Sequence, residues 1–350
     1  MELIYCTQYM SKVFHAHSPF RIFGISALIT IGGLLAVLVG LGPAALLTTL
    51  VLVVIEVVFS FDNAIVNAKV LGRMSPAWQT AFLTIGIVIA IFGMRLLFPL
   101  VIVALAAHLG LGDVWNLALN HPHEYADKLH LAHPMIAAFG GAFLLVLSLE
   151  FFLNGQHEVL WWAKVERNLR KLKSVWLPAV AAAAVVLLIA WRSSENGGQI
   201  VRAGLLGVGT FVAVQLFTAL LSRGQPQGKH LTGWAAFALF LYLQILDASF
   251  SFDGVIGAFA ITDVVVLIAA GLGIGALWVR SMTVYMVRRG TLDQYIFLEH
   301  GAYYTIAVLA AALFLSLFVE VPDAITGLIG LGIIGSAVAA SVQARKKHHE

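Results

Sequence analysis

The chain has 350 residues, 60% of them hydrophobic and only 11% charged, with a formal net charge of +3 and a mean hydropathy of +0.93. A soluble domain carries roughly a quarter charged residues, so this composition excludes one and points to a protein that lives in a bilayer. Cys6 is the sole cysteine, which excludes a disulfide framework and a thiolate metal cluster, and no basic stripe with interleaved aromatics suggests nucleic acid.

A spanning helix needs about 20 apolar residues. Ten segments meet that need: 21–41, 43–71, 77–107, 134–153, 175–192, 199–221, 232–258, 262–288, 301–320 and 323–341. Residues 1–20 read as a mildly polar cytoplasmic segment. The run from Ile22 to Leu41 is longer than a signal-peptide core and lacks a convincing cleavage site, so it reads as a retained span. The expected fold is an all-α membrane protein: about ten transmembrane helices in one domain, 21–341, followed by a basic cytoplasmic tail, 342–350.

Basic residues concentrate on the cytoplasmic side of a membrane protein. With ten spans and the N-terminus inside, sixteen of the 21 lysines and arginines fall inside, including Lys164, Arg167, Arg170, Lys171 and Lys173. Lys128, Arg192 and Arg202 fall outside, while Arg95 and Arg280 lie within spans. The longest outer loop, roughly 108–133, holds His108, His121, His123, His130 and His133. Their spacing matches no closed zinc site, and a solvated loop is the plainer reading over a weak metal-collecting one.

Two spans carry the same motif. Glu56-Val57-Val58-Phe59-Ser60-Phe61-Asp62-Asn63 and Asp247-Ala248-Ser249-Phe250-Ser251-Phe252-Asp253-Gly254 both read acid-x-x-Phe-Ser-Phe-Asp, 191 positions apart. Carboxylates in hydrocarbon are costly and call for a function. The repeat extends beyond the motif: Arg95 follows the first copy and Arg280 the second, and Gly141-Ala142-Phe143 is matched by Gly301-Ala302-Tyr303. Spans two to four thus match spans seven to nine, shifted by five. An odd shift inverts one unit relative to the other, which predicts inverted three-helix repeats at 43–155 and 232–320 with a site between them at mid-membrane.

At about 100° per residue, Glu56, Ser60, Asn63 and Asn67 share one helix face, as do Gln244, Asp247 and Ser251. Asp62 and Asp253 lie roughly 120° off these stripes on a straight helix. Two explanations fit. Either the helices unwind near Phe-Ser-Phe-Asp and turn all four acids to one cavity, or Asp62 and Asp253 face Arg95 and Arg280 as structural pairs. Four acids against two arginines leave two negative charges, which one divalent cation or two protons would balance. The oxygen-only donors favour a hard cation, Mn²⁺, Ca²⁺ or Mg²⁺, and do not choose among them.

At these residues the chain resembles the TerC/Alx-like family of bacterial integral membrane proteins, itself similar to LysE-type exporters. The likeness rests on Glu56 to Asn63, Asp247 to Thr262, Arg95 and Arg280; it covers roughly 43–155 and 232–330 and leaves 156–231, with two extra spans, outside. Gly254 departs from it, since many members carry serine there. The resemblance implies an inner-membrane protein associated with manganese export or tellurite resistance. It also implies that Glu56, Asp62, Asp247 and Asp253 form the metal site, with Asn63 as a neighbouring ligand.

The expected function is therefore secondary export of a divalent cation, Mn²⁺ first, coupled to protons. Ser60, Asn67, Gln244 and Ser251 would support the ligands, and Arg95 and Arg280 would compete for the acids. The expected partners are the metal ion, protons and lipid, with a homo-oligomer open. The alternative is a non-transporting membrane scaffold in metal or tellurite stress. An intramembrane protease suggested by Gly110-Leu111-Gly112-Asp113 lacks a Tyr-Asp partner in any span, and no enzyme activity is expected. Glu56→Gln and Asp247→Asn should each abolish manganese efflux, read as cellular manganese after a loading pulse; efflux retained in both variants rejects this reading.

Overall fold

The computed structural model describes residues 19–155, 159–193, 196–222 and 230–347; the side chains of residues 19–21, 252, 253, 256, 323 and 347 fall outside the description. Asp253, a predicted ligand, is one of these. The helices are α1 Pro19–Phe59, α2 Phe61–Leu71, α3 Pro76–Val88, a π-helical stretch Ile89–Leu97, α4 Phe98–Ala107, α5 Leu111–Asn120, α6 Pro122–Asn154, α7 Ala163–Arg170, α8 Leu177–Arg192, α9 Gly197–Leu221, α10 Gly233–Phe259, α11 Val265–Arg289, α12 Thr291–Gln294, α13 Leu298–Leu315 and α14 Asp323–Lys347. Among the described residues no strand occurs beyond an isolated bridge between Met74 and Leu231.

Eight helical stretches among the described residues are long and apolar enough to cross a membrane, against the ten expected. The difference has two sources. The first is α1, whose 41 residues would extend about 60 Å, twice the hydrocarbon thickness. Gly42 interrupts it at φ 86°, a conformation that glycine adopts without strain, and Pro43 opens the second half. The two halves lie along α11 in opposite directions. Phe23 packs on Tyr285, Ser26 Oγ lies 2.6 Å from Ser281 Oγ and Gly33 faces Ile274, so the first half runs against α11. Leu52 meets Gly271 and Glu56 meets Gly275, so the second half runs with it. α1 is therefore a helical hairpin.

The second source is α8, whose 16 residues extend only about 24 Å. Ala190 lies against Gly197 and Val186 against Gly204, which makes α8 antiparallel to α9. α6 and α9 run parallel: Phe139 lies against Gly207, the Phe143 and Phe211 rings meet at 5.5 Å, and Gln215 bonds Glu150 at 3.0 Å. α8 carries the chain back between them.

The segment 108–133 is helical rather than an open loop, forming α5 and the first turns of α6. His108, at φ 54°, ends α4. His123 pairs with Asp263 at 3.0 Å and His133 lies 3.2 Å from Ser316 Oγ, and no group of three or more metal-ligating side chains forms among the described residues. Likewise the expected tail begins inside a helix, because α14 continues to Lys347. Asp113 is exposed in the first turn of α5, away from the apolar spans.

The helices that match in sequence cross one another antiparallel. Asn63 bonds Asp247 while Glu56 approaches Gly254. Gly86 meets Arg280 while Ile91 meets Gly273. Gly140 meets Leu313 while Ser148 donates to the Tyr303 carbonyl at 3.3 Å. The Gly271-x-x-x-Gly275 stripe serves packing within the chain. A Cβ at Gly275 would sit 2.5 Å from the Glu56 side chain. Gly275→Leu should thus cost about 1–3 kcal/mol through overpacking, read as a lowered thermal midpoint of the purified protein.

Candidate ion-binding site

The first motif lies where α1 gives way to α2. Ser60 sits at φ −96°, ψ 17°, outside helical geometry, yet its N–H still reaches the Glu56 carbonyl at 3.0 Å and its carbonyl accepts from Ala64 N–H at 3.2 Å. The Asn63 N–H is taken by the Asp62 carboxylate at 2.9 Å, so Asp62 caps the first turn of α2. An acid in the first turn of a helix interacts favourably with its N-terminus, which favours a new helix start at this point. The second motif behaves differently: α10 passes through Phe250-Ser251-Phe252-Asp253 unbroken. Unwinding therefore occurs in one copy of the two.

Both arginines are buried and both are paired, and among the described residues neither pairs with Asp62. Arg95 binds Glu56, and Arg280 binds Asp247. Of the two explanations for Asp62, pairing with Arg95 is thus excluded; Arg280 is engaged elsewhere, and the Asp253 side chain lies outside the described residues. Arg95 lies in the π-helical stretch, whose wider turn changes the direction in which its side chain leaves the helix.

The two pairs differ in how completely they are enclosed. Asp247 has both oxygens engaged: Asn63 Nδ2 at 3.0 Å and Asn67 Nδ2 at 2.7 Å donate to one, and Arg280 to the other. Arg280 in turn donates to Gln244 Oε1 at 3.2 Å and to the Phe82 carbonyl at 3.2 Å, and lies 4.3 Å over the Phe82 ring. Gly86 clears the space for its guanidinium, which any Cβ there would strike. Glu56 has fewer partners. Ser60 Oγ donates at 3.1 Å to the oxygen that Arg95 also holds, and the carboxylate borders a cavity.

That cavity has a volume of about 530 Å³ and is lined by Glu56, Ser60, Asp62 and Asn63 of the first motif, Gly254 of the second and Thr305 of α13, among others. Ile261, Pro322 and Ala324 also border it, so it reaches the side of the molecule where α10 turns into α11 and α13 into α14. Toward the opposite side α2 and α13 are tied together by Lys69 and Glu299 at 2.7 Å. Near Asp247, buried Asn63 Oδ1, Asn67 Oδ1 and Ser251 Oγ have no hydrogen-bond partner among the described residues. The predicted ligands are therefore brought to one region but not into one cage: Glu56, Asp62 and Asn63 face the cavity, while Asp247 is closed off behind Asn63 and Asn67.

Gly86, Phe82 and Thr305 shape this region and were not singled out from sequence, whereas Gly275 stands out there as the end of a Gly271-x-x-x-Gly275 helix-contact pattern. One signal was present, since Gly86 and Gly271 each stand nine residues before an intramembrane arginine.

Over residues 61–348 the chain matches a family described as Protein of unknown function (DUF475), and it belongs to that family. The matched range takes in 156–231, so α7 to α9 fall within what the family shares. No curated protein and no solved structure matches the chain.

Removing one partner from an enclosed ion pair costs about 3–5 kcal/mol. Arg280→Ala should approach that loss and Arg95→Ala should fall well short of it, because water in the cavity can reach Glu56. Denaturant unfolding of the two purified variants reads the difference, and equal losses would contradict the asymmetry.

Proposed function

We propose that this DUF475 member is a secondary transporter that exports a divalent metal cation across a bacterial inner membrane in exchange for protons, with Mn²⁺ as the first cargo. The observation that carries the reading is the cavity at the α1–α2 break, whose largely apolar wall carries two carboxylates, a hydroxyl and an amide on a path open to one side. Carboxylate, hydroxyl and amide oxygens suit Mn²⁺ and Mg²⁺ and not the soft metals. The antiparallel crossing of the matched helices supports two inverted repeats, an arrangement in which one half rocks against the other around a central site.

Arg95 acts as a tethered counter-ion in this scheme. It neutralises Glu56 in the present conformation, and a cation entering between Glu56 and Asp62 takes its place. With the basic cluster at 164–173 on the cytoplasmic side, the cavity opens outward, as in a conformation ready to release cargo and accept protons. Arg280 and Asp247 hold α10, α11 and α2 together at the closed end. The TerC/Alx-like motifs agree with manganese as cargo.

Reconstituted protein in vesicles with an outward metal gradient and an internal pH dye tests this. Mn²⁺ flux with opposing proton movement is expected. Asp62→Asn and Glu56→Gln should each reduce it at least tenfold, while unchanged flux in both variants, or flux with no pH response in the wild type, rejects the exchange.

A further inference from the structure

A second polar cluster lies apart from the motif cavity, in the seam between the parallel helices α6 and α9. The register of that seam is constant. Phe139 faces Gly207 and Phe143 faces Phe211, both offset by 68 positions. The same offset places Thr218 opposite Glu150 and Ser222 opposite Asn154. Glu150 accepts Gln215 Nε2 at 3.0 Å on one oxygen and Asn154 Nδ2 at 2.8 Å on the other. Both donors are neutral, and among the described residues no lysine or arginine pairs with this carboxylate.

By that register three further buried oxygens lie along the seam, each without a partner among the described residues: Asn154 Oδ1, Thr218 Oγ1 and Ser222 Oγ. A buried acceptor left unsatisfied is costly, and so is an unpaired charge in an apolar span. Three coincident costs around one carboxylate are relieved together by a cation. Its charge follows from the count. One carboxylate and three neutral oxygens balance a single positive charge better than a double one; Arg170 of α7, whose Nη2 is also buried without a partner among the described residues, is the competing charge, and its occupancy would make Na⁺ and choline indistinguishable. The donors are hard oxygens, which select an alkali cation over a soft one.

We propose that Glu150, Asn154, Thr218 and Ser222 bind a monovalent hard cation, Na⁺, at the end of the α6–α9 seam. The site lies beside the basic α7 segment, on the side of the molecule opposite the cavity mouth. It does not depend on the transport reading, because none of its residues touches the motif cavity.

Thermal unfolding of the full-length protein in Na⁺ against choline, at equal ionic strength, tests the site. A saturable rise in midpoint with Na⁺ is expected. Glu150→Gln and, separately, the pair Thr218→Val with Ser222→Ala should each raise the half-saturating Na⁺ at least tenfold; the second variant keeps the test open if the first does not fold. Glu56→Gln should retain the wild-type Na⁺ response, which separates this site from the cavity. Superimposed Na⁺ and choline curves in the wild type overturn the proposal, as does a Na⁺ response that survives both seam variants. A midpoint that rises on acidification but not with Na⁺, and whose rise is lost in Glu150→Gln, assigns a proton to Glu150 and overturns it equally.

Discussion

The arrangement of this protein depends on guanidinium–carboxylate pairing inside hydrocarbon. Arg95 with Glu56 and Arg280 with Asp247 are each buried, and each pair ties together two neighbouring spans, 39 and 33 positions apart. A lone charge at that depth would be expelled or neutralised, so the helices bearing the four residues must meet at matching heights. Glycines make the meeting possible. Gly275 lets α11 come against Glu56, and Gly86 lets α3 come against Arg280. The apolar packing around them fills space, but the charges fix which space is filled.

The two halves are built alike and finished differently. In the second, Asn63 and Asn67 reach across from α2 to complete the shell of Asp247, and Gln244 and Phe82 complete that of Arg280. In the first, no comparable cover lies over Glu56 among the described residues, and the helix opens at Ser60 beside it. A closed pair and an open pair thus stand at matching positions of the two motifs, and under the proposed exchange reading they would be the two ends of an alternating device.

Much of this could be read before the structure because hydrocarbon penalises charge so heavily. The motif acids, both arginines and the polar stripe from Glu56 to Asn67 stand out for that reason. The stripe does face one way, although it serves two acids: Ser60 turns to Glu56, and Asn63 and Asn67 turn to Asp247. Pairing was not legible, because periodicity gives the angle of a residue around its own helix and says nothing of its height against a neighbour. Nor was the difference between the motifs, where one Phe-Ser-Phe-Asp string breaks and an identical one continues; tertiary surroundings decide that. The helical 108–133 segment was hidden by its polar residues, which suit an amphipathic helix outside the bilayer as well as a loop. The α1 hairpin was readable from Gly42-Pro43 and the length of the run.

Lys69 and Glu299 join α2 to α13 at one end, while the same two helices stand apart at the cavity. A rod pinned at one end and free at the other moves as a lever. A small change of angle at the Lys69 end becomes a displacement of several ångströms where Thr305 and Leu309 border the opening. The pair is half in water and holds little by itself, so it marks the end at which packing between α2 and α13 continues, and that packing would have to yield for the side now shut to open.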